Sequence, residues 1–368
     1  MENFDVAVVG GGVMGCSTAL YLSRNRMKTV IIDRGALCRE ASGVNAGTLT
    51  LNMTRASLIP YAIKGWELWN STEKWLSSSV GTKKVSGLSL AFTEEEEELL
   101  SERVKARQAM GAPIKLISGK KAKGIEPGLN DSVRCAAWCD KDGFTSAYLT
   151  GHAFKKALIQ ENSKIMEYSK VKNIEVVKNN FKLFLENNEY LTAKRIVLAG
   201  GVWLEEMLSW LNVGIPIKCL INQLIITERM PSIMKTVISI ANGLLSLKQF
   251  DNGTVLIGGG WQGLGDKERG GVEAIPENLR GNIRLACHTI PKLQSGRVVR
   301  VWLGLEAETA DALPIIGNLP GISNAYVIGS VHSGYTSGPY MGWILSQFIM
   351  GQETDMPLFH PSRLINLN

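Results

Sequence analysis

The chain has 368 residues, of which 45% are hydrophobic and 20% are charged. This composition is ordinary for a folded protein and excludes a disordered chain. No apolar run approaches the ~20 residues that a transmembrane helix needs, so we predict no transmembrane segment. The net charge of +6 comes from scattered lysines and arginines, without the basic stripe and interleaved aromatic residues that are typical of a nucleic-acid interface.

These properties predict a cytoplasmic protein whose partners are small molecules. The N-terminus lacks the basic segment that opens a secretory signal peptide, and its glycines continue into a helical pattern. Six cysteines are present, but only Cys135 and Cys139 lie close together in the sequence. Because there is no second close pair, we predict reduced thiols and no metal or iron–sulfur site.

The N-terminal segment predicts a strand, a glycine turn, a helix and a second strand. Residues 4–9 are apolar and end in three consecutive glycines, and residues 13–24 place small and apolar side chains at helical spacing. Residues 29–32 form a second apolar run. So short a connection between two buried strands predicts a right-handed parallel crossover.

Later segments alternate between helical and extended patterns. Residues 215–260 show short apolar runs separated by turn residues, which is typical of an antiparallel sheet. A loop is predicted at residues 334–338. Further helices are predicted at residues 93–111, 151–162, 202–211 and 339–351. Further strands are predicted at residues 174–177, 181–185, 196–198 and 325–329.

Rossmann-like segments therefore occur at the start, the middle and the end of the chain. This order predicts a mixed α/β (α+β) fold, in which a Rossmann-like nucleotide-binding domain is built from discontinuous segments. A mostly antiparallel β-sheet substrate domain is inserted between them. The predicted nucleotide-binding domain comprises residues 1–85, 141–208 and 301–368. The predicted substrate-binding domain comprises residues 86–140 and 209–300.

Gly10, Gly12 and Gly15 stand in G-x-G-x-x-G spacing between the first strand and the first helix. Gly10 permits a tight turn, Gly12 lets a pyrophosphate touch the backbone, and Gly15 lets the helix pack close to the sheet. The helix begins with Val13 and Met14, and its N-terminus offers N–H donors to the phosphates. With a strand before it and a helix after it, the spacing predicts a dinucleotide site.

Asp33 ends the second predicted strand, where its carboxylate can accept a hydrogen bond from a ribose hydroxyl. The fingerprint permits either NAD or FAD, so an NAD-dependent dehydrogenase stays open at this point. The segment after Arg34 is rich in small and polar residues, which suit a loop that returns along a long cofactor. Arg34 is a candidate cofactor-binding residue, and those of the segment after it are Ala41, Ser42, Asn45, Ala46 and Gly47.

At this segment the sequence resembles the FAD-dependent glycine oxidase and D-amino-acid oxidase (DAO) superfamily, in which Ala-Ser-rich residues line the pyrophosphate and flavin. The resemblance continues along nearly the whole chain. It implies that Val171 holds the adenine through its backbone and that the motif IVLAGGVW lies beside the phosphates. It also implies that the motif VHSGYTSGP cradles the flavin ring. The candidate FAD-binding residues of the later motifs are Ala199, Gly200, Trp203, Gly304, His332, Ser333, Gly334, Tyr335 and Thr336.

Within this superfamily, ASGVNAGTLTL and GLEAETADALPIIG resemble most the catalytic subunits of hetero-oligomeric amine dehydrogenases. The catalytic subunits of opine oxidase, D-hydroxyproline dehydrogenase and hydrogen cyanide synthase represent this type. The resemblance implies oxidation of the C–N bond of an amino acid or secondary amine, opine-like or an imino acid, by hydride transfer to flavin N5. FAD is expected to be noncovalent, because no cysteine lies in residues 330–340.

Position 306 departs from the family. Many members carry an arginine there that pairs with the substrate carboxylate, whereas this chain has Glu306. A carboxylate cannot make the forked contact of a guanidinium. We expect Glu306 to face a cationic part of the substrate or to support the flavin loop, and a structurally paired or solvated glutamate stays open.

His332, Tyr335 and Trp261 complete the candidate catalytic residues. His332 stands in the motif that the resemblance places beside the flavin, where it can contact the ring or the substrate. A purely structural histidine is the alternative. Tyr335 and Trp261 are candidate walls of the pocket, although aromatic residues serve more often in core packing.

The electron acceptor follows from the resemblance. Some relatives place an oxygen-activating lysine in the region of residues 258–261, and no lysine stands there in this chain. Its absence favours a dehydrogenase that passes electrons to partner subunits carrying FAD, FMN or iron–sulfur centres. The alternatives are a self-sufficient oxidase of the glycine, D-amino-acid or sarcosine type and a non-catalytic dinucleotide-binding subunit.

Overall fold

The structure, a computed structural model, describes residues 2–267, 271–332 and 334–365. Within these ranges no helix is long and apolar enough to cross a bilayer. The helices are α1 (Val13–Arg24), α2 (Ile59–Trp69), α3 (Thr72–Trp75), α4 (Glu94–Ala109), α5 (Gly119–Ile125), α6 (Ala147–Gln160), α7 (Leu204–Ser209), α8 (Pro276–Thr289), α9 (Gly334–Ile349) and α10 (Ser362–Ile365). The strands are β1 (Asn3–Val9), β2 (Thr29–Ile32), β3 (Thr48–Leu49), β4 (Lys83–Ala91), β5 (Ile114–Ser118), β6 (Cys135–Phe144), β7 (Lys164–Met166), β8 (Val171–Val177), β9 (Asn180–Leu185), β10 (Tyr190–Leu198), β11 (Lys218–Arg229), β12 (Val237–Ile240), β13 (Ser246–Gln249), β14 (Thr254–Gly258), β15 (Leu264–Gly265), β16 (Val272–Glu273), β17 (Val298–Glu308), β18 (Ile315–Asn318) and β19 (Ala325–Gly329).

The first sheet contains eight of the strands that the structure describes, and its main path runs β18-β19-β10-β1-β2-β7. β10 is parallel to both β1 and β19, and β1 is parallel to β2. Helices α1, α6 and α9 cover one face, and α7 packs on the other. Because both faces are buried at the centre of the sheet, β2 and residues 6–9 of β1 and 196–198 of β10 are buried without alternation. The predicted Rossmann-like sheet, built from separated parts of the chain, is confirmed.

The second sheet contains nine of the described strands in the order β17-β11-β14-β13-β12-β4-β6-β3, with β5 beside β6. Its pairs are antiparallel except for β12 and β4, so the predicted mostly antiparallel sheet is confirmed. Residues 301–308, which the predicted boundaries assign to the nucleotide-binding domain, pair with β11 in this sheet. Residues 141–144 likewise belong to β6.

Two helices show how local capping sets their first residue. Helix α4 begins after Thr93, whose hydroxyl oxygen accepts a hydrogen bond from the backbone N–H of Glu96 at 3.2 Å, as the sequence predicts. The helix predicted at residues 151–162 begins earlier, at Ala147. The side chain of Ser146 caps it there by accepting a backbone hydrogen bond. Because this serine lies outside the apolar pattern, the start of the helix was predicted four residues too late.

The sequence predicts a loop at residues 334–338, and this prediction is wrong, because α9 begins at Gly334 and continues through Pro339. Proline has no N–H to donate to the carbonyl oxygen of Tyr335, four residues earlier. The indole Nε1 of Trp69 donates to that oxygen instead, at 2.8 Å. The rings of Trp69 and Tyr335 also stack, with centroids 4.9 Å apart. Contacts with α2 therefore stabilise a helix in a sequence of turn-forming residues.

A buried carboxylate connects the second sheet to the segment that follows β3. Asp142 of β6 accepts hydrogen bonds from the Thr50 hydroxyl at 2.9 Å and the backbone N–H of Leu51 at 2.8 Å. The amide of Asn52 donates to it at 3.3 Å. Burial raises the pKa of Asp142 to about 6. Gly87 on the adjacent strand provides the space, since a Cβ atom there would collide with this carboxylate.

We expect the substitution Asp142→Ala to lower the free energy of unfolding by about 3 kcal/mol, because it leaves several buried donors without an acceptor. Chemical denaturation at neutral pH measures the change. The matched control is Asp140→Ala on the same strand, where the side chain is exposed. Equal stability of the two variants would show that the carboxylate does not hold this segment.

Candidate active site

A continuous cavity of about 1100 Å³ lies between the two sheets. At one end its walls are the glycine turn after β1 and the carboxyl ends of β2 and β10. At the other end its walls come from β11, β14 and β17 of the second sheet. Ligands of open parallel sheets bind outside the carboxyl ends of the strands. The cavity therefore joins a dinucleotide-type site to space above the antiparallel sheet.

The glycine turn brings α1 against the end of β1. Gly10 has a φ of +111°, a backbone conformation that side chains rarely adopt. A Cβ atom at Gly10 would collide with the carbonyl oxygen of Ala199, and one at Gly15 would collide with the carbonyl oxygen of Gly10. The predicted residues of this turn all line the cavity: Gly10, Gly12, Val13, Met14 and Gly15.

Asp33 holds the glycine turn to the end of β2. Its Oδ2 accepts a hydrogen bond from the N–H of Gly11 at 2.6 Å, and its Oδ1 accepts one from the N–H of Gly35 at 2.7 Å. Burial raises the pKa of Asp33, and the two N–H donors oppose this effect. The carboxylate lines the cavity. Its contact with a ribose hydroxyl stays a prediction.

The Ala-Ser-rich segment lies along the cavity. The hydroxyl oxygen of Ser42 accepts a hydrogen bond from the backbone N–H of Val13 at 3.0 Å, so it caps the first turn of α1. Asn45 accepts one from the N–H of Gly47 at 2.8 Å. Gly47 itself lies behind the wall, where a Cβ atom would collide with Thr145. The predicted residues of this segment that line the cavity are Ala41, Ser42, Asn45 and Ala46.

This segment is fixed from the other side by β17. The indole Nε1 of Trp302 donates a hydrogen bond to the carbonyl oxygen of Val44 at 2.9 Å. Gly304, two residues later, lines the cavity, and a Cβ atom there would lie 2.5 Å from Cγ2 of Val44. A glycine is therefore required for this close packing, and Gly304 acts through its lack of a side chain.

A stacked pair lies in the cavity wall just after the carboxyl ends of β2 and β10. The guanidinium carbon of Arg34 lies 3.4 Å from the ring centroid of Trp203, and Arg34 also forms an ion pair with Glu40 at 3.7 Å. The tryptophan predicted beside the phosphates thus packs against an arginine at the cavity wall. The remaining predicted residues of this region that line the cavity are Val171, Ala199 and Gly200.

The lining fits an FAD molecule. The backbone approaches the cavity closely at the glycine turn, and the first turn of α1, from Val13 onward, contains no acidic residue that would repel a phosphate. Farther along, the hydroxyl of Ser330 is buried and has no hydrogen-bond partner among the described residues. Because an unpaired buried hydroxyl costs free energy, a polar atom of a cofactor at this point would stabilise the site.

At the end opposite the glycine turn, Glu306 is paired within the protein. Its Oε1 lies 2.9 Å from Nδ1 of His332, and its Oε2 accepts a hydrogen bond from the amide of Asn222. Gln262 donates in turn to Oδ1 of Asn222 at 2.6 Å. The hydrogen bond that His332 donates to Glu306 raises the pKa of His332 above its ordinary value. The pair therefore favours a protonated imidazole.

A second ion pair lies beside the first. Nη2 of Arg55 is 3.7 Å from Oε1 of Glu308, and the positive charge of Arg55 acts to lower the pKa of His332. Arg55 is 43% exposed, which leaves its guanidinium open to a ligand. Across the described residues no group of three or more His, Cys, Asp and Glu side chains is arranged to hold a metal ion. The charged residues that line this end are Arg55, Glu306, Glu308 and His332.

Of the two predicted aromatic walls, Tyr335 is among the residues that line the cavity and Trp261 is not. The Tyr335 ring stacks in the core on Trp69, and its hydroxyl is hydrogen-bonded to Thr150 at 2.7 Å. Burial raises the pKa of Tyr335. The Trp261 indole donates to the carbonyl oxygen of Leu244 at 2.8 Å and packs over α8, away from the cavity lining.

The rest of the last predicted segment surrounds the N-terminus of α9. Gly334 is half-buried and lines the cavity, as does Thr336. The Thr336 hydroxyl oxygen accepts a hydrogen bond from the backbone N–H of Thr50 at 3.3 Å. Ser333, also predicted to bind FAD, lies outside the described residues.

Sequence reasoning missed three polar residues of this region. Arg55 and Asn222 gave no local signal, because each becomes significant only through a contact with β17. Lys248 is buried in β13 and hydrogen-bonded to the Thr48 hydroxyl. The sequence contains a signal for Lys248, because this lysine follows a leucine within the segment that is predicted to form the antiparallel sheet.

The two sheets and the cavity between them have the architecture of a flavin-dependent oxidoreductase. The model of the DAO family, described as FAD dependent oxidoreductase, matches residues 5–348, and the chain belongs to this family.

The chain is 25% identical over 382 residues to the B subunit of opine oxidase from Rhizobium meliloti, covering 99% of this chain and 98% of that protein. It is 23% identical to the glycine oxidase of Geobacillus kaustophilus, covering 97% and 96%. The crystal structure of glycine oxidase from Geobacillus kaustophilus superposes with a TM-score of 0.90 at 21% identity, over 100% of both chains. The chain is therefore an FAD-dependent oxidoreductase of the DAO family.

We expect Gly15→Ala to abolish FAD retention, since the added Cβ atom forces α1 away from the carbonyl oxygen of Gly10. The measurement is the ratio of flavin to protein after purification, together with the thermal unfolding midpoint. Gly124→Ala is the control, because a Cβ atom at that position meets nothing. A yellow Gly15→Ala protein with full flavin content would show that the close approach is not needed.

We expect Glu306→Gln to lower the pKa of His332, because that pKa is raised mainly by the hydrogen bond that the imidazole donates to this carboxylate. The stability that the pair contributes is present below the unfolded histidine pKa of about 6.5 and is lost as the pH rises through the higher folded value. NMR titration of the histidines measures the shift. Glu186→Gln, on an exposed turn, is the control, and an unchanged His332 titration in Glu306→Gln would contradict the pairing.

Proposed function

We propose that the protein oxidises the C–N bond of a substrate that carries both an amine and a carboxylate, such as an opine-like secondary amine or an imino acid. We further propose that it acts as the catalytic subunit of a hetero-oligomeric dehydrogenase. The observation that carries the proposal is the group of four charged residues, Arg55, Glu306, Glu308 and His332, at the end of the cavity opposite the glycine turn. Mixed charges of this kind complement a zwitterionic ligand.

Arg55 is the candidate partner of the substrate carboxylate. Its guanidinium is only loosely paired with Glu308, at 3.7 Å, and is open to the cavity. A bound carboxylate can form a bidentate contact with the guanidinium, which the loose internal pair does not provide. Arg55 would thus take the role for which the family places an arginine at position 306.

Glu306 acts as a positioning residue in this proposal. Both of its oxygens are engaged, one by His332 and the other by Asn222. It therefore supports the segment before α9, as one of the sequence-based expectations proposed, and adds negative charge near a substrate amine. His332, held in one orientation by Glu306, presents its other ring nitrogen for contact with the substrate or the flavin.

The bound FAD supplies an acceptor for the hydride that leaves the carbon next to the amine. What the protein contributes is orientation, because a rate advantage follows when the reacting C–H bond is held in one geometry. Arg55 fixes one end of the substrate, and the β11 and β17 side chains around Asn222 limit its rotation. The Glu306–His332 pair keeps the local charge balanced while the substrate amine loses its proton.

The assignment to a hetero-oligomer is supported by relatives whose names include a subunit designation. These are the B subunit of opine oxidase and the hydrogen cyanide synthase subunit HcnC of Pseudomonas aeruginosa, which is 22% identical over 406 residues. Glycine oxidases align over similar lengths, so a self-sufficient oxidase that uses O₂ is the second candidate. The rate at which air reoxidises the reduced flavin separates the two.

We expect the flavin absorbance near about 450 nm to bleach when amino acids and secondary amines are added without oxygen. Opine-like amines and imino acids should reduce the flavin fastest, and air should restore the colour slowly. Arg55→Met should raise the apparent dissociation constant about 100-fold or more for carboxylated substrates, because a bidentate charged contact is lost. Acid precipitation should leave the yellow colour in the supernatant, as expected for noncovalent FAD.

The control for Arg55→Met is Arg284→Met, an exposed arginine on α8. No bleaching by any amine or amino acid would refute the proposed oxidation. Fast reoxidation by air would favour the self-sufficient oxidase over the dehydrogenase. Equal affinity of Arg55→Met and wild type for carboxylated substrates would remove Arg55 from the site.

A further inference from the structure

The only buried lysine of the described residues is Lys248, which is 1% exposed and lies in the middle of the second sheet. It belongs to β13, where it is opposite Leu256 of β14. Its Nζ lies 5.9 Å from the ring centroid of Phe144. A lysine in such apolar surroundings is costly as a cation, so its presence calls for a reason beyond packing.

The hydrogen-bond partner of the Lys248 ammonium is the hydroxyl oxygen of Thr48. Thr48 is half-buried and lines the cavity, and Ser246 on β13 lines it as well. One hydroxyl group therefore separates the lysine nitrogen from the cavity. Lysine and threonine form a short hydrogen-bonded path from the protein interior to the cavity.

Two carboxylates on the elements around Lys248 have other partners. On β6, the Asp142 carboxylate is bonded to Thr50, Leu51 and Asn52. Lys83 of β4 and Asp251 after β13 pair with each other at 2.6 Å near the surface. No carboxylate forms an ion pair with Lys248 among the residues described.

Burial alone lowers the pKa of Lys248 to about 7. A buried amine without a counter-ion favours its neutral form, because desolvation disfavours the charged one. In that form the nitrogen has a lone pair and accepts a proton through the Thr48 hydroxyl. The Lys248 amino group can therefore accept a proton at a pH where a free lysine is already protonated.

We propose that Lys248, acting through Thr48, accepts the proton that the substrate amine must lose before its C–N bond is oxidised. This inference rests on the proposed function. The proton leaves the substrate ammonium for the Thr48 oxygen as the Thr48 hydroxyl proton passes to the lone pair of Lys248. The substrate nitrogen keeps the electron pair of the broken N–H bond, and Lys248 becomes an ammonium.

A bound FAD would accept the hydride from the neighbouring carbon, and the substrate, whose nitrogen electron pair forms the new C=N bond, would become a protonated imine. Lys248 returns its proton through Thr48 to water in the cavity after the product leaves. Thr48 is the residue that exchanges protons with the substrate, and Lys248 acts through it. A merely structural lysine would contribute to folding but would not change the pH dependence of the oxidation.

The test is the rate of anaerobic flavin reduction as a function of pH in wild type, Lys248→Met, Thr48→Val and Thr48→Ser. We expect Lys248→Met and Thr48→Val to be slower than wild type by about tenfold or more near pH 7. Their rates should approach the wild-type rate near about pH 10, where the free amine is already deprotonated. Thr48→Ser keeps the hydroxyl, so its rate should keep the wild-type dependence on pH.

A second readout does not depend on activity. Because burial lowers the folded pKa of Lys248, the wild-type unfolding midpoint should rise relative to that of Lys248→Met between about pH 7 and pH 10. A constant difference across this range would show that the lysine does not titrate and would overturn the proposal. Thermal unfolding of the FAD-loaded proteins measures it.

Three kinetic results would also overturn the relay. The first is a wild-type pH profile in Lys248→Met, and the second is an equal loss of rate at every pH. The third is an effect confined to reoxidation by air. In each case wild type is still reduced by amines, and the proposed function stands. If no amine or amino acid reduces the wild-type flavin, the proposed function itself fails, and the relay fails with it.

Discussion

The cavity depends on the close approach of α1 to the end of β1, where Gly15 lies against the carbonyl oxygen of Gly10. This contact places the N-terminus of a helix, with its partial positive charge, at the edge of a parallel sheet. Asp33 fixes the same turn from β2 through two backbone N–H groups. The remaining walls are arranged around this point, because Ser42 caps α1 and β17 then fixes the Ala-Ser-rich segment.

Two buried polar groups of the second sheet, Asp142 and Lys248, have different roles. Asp142 accepts several hydrogen bonds and connects β6 to the segment that carries Thr50, so its role is to hold two parts of the chain together. Lys248 has the Thr48 hydroxyl as its partner and lacks a counter-ion among the described residues. A satisfied carboxylate favours one structure, whereas an uncompensated amine favours a change of protonation state.

The N-terminal strand, turn and helix could be predicted from the sequence because their signals are local. Glycine spacing, apolar runs and Asp33 lie within thirty-three residues of the N-terminus, and the structure places them together at one end of the cavity. Helix α9 could be predicted only from residue 339 onward, because residues 334–338 include glycine and serine and their helical conformation depends on an indole from α2. Two further contacts, of Glu306 with His332 and of Lys248 with Thr48, join separate strands and loops. No periodicity in the sequence predicts these contacts.

Helix α2 follows directly from the segment that carries Arg55 and ends at Trp69, whose indole holds the first turn of α9. Near its middle, Gly65 lies so close to the backbone of Thr336 that a Cβ atom would not fit. A tilt of α2 must therefore displace both the candidate carboxylate partner and the segment beside the flavin. In the proposed function, the contact of Arg55 with the substrate and the position of the first turn of α9 therefore depend on the same helix.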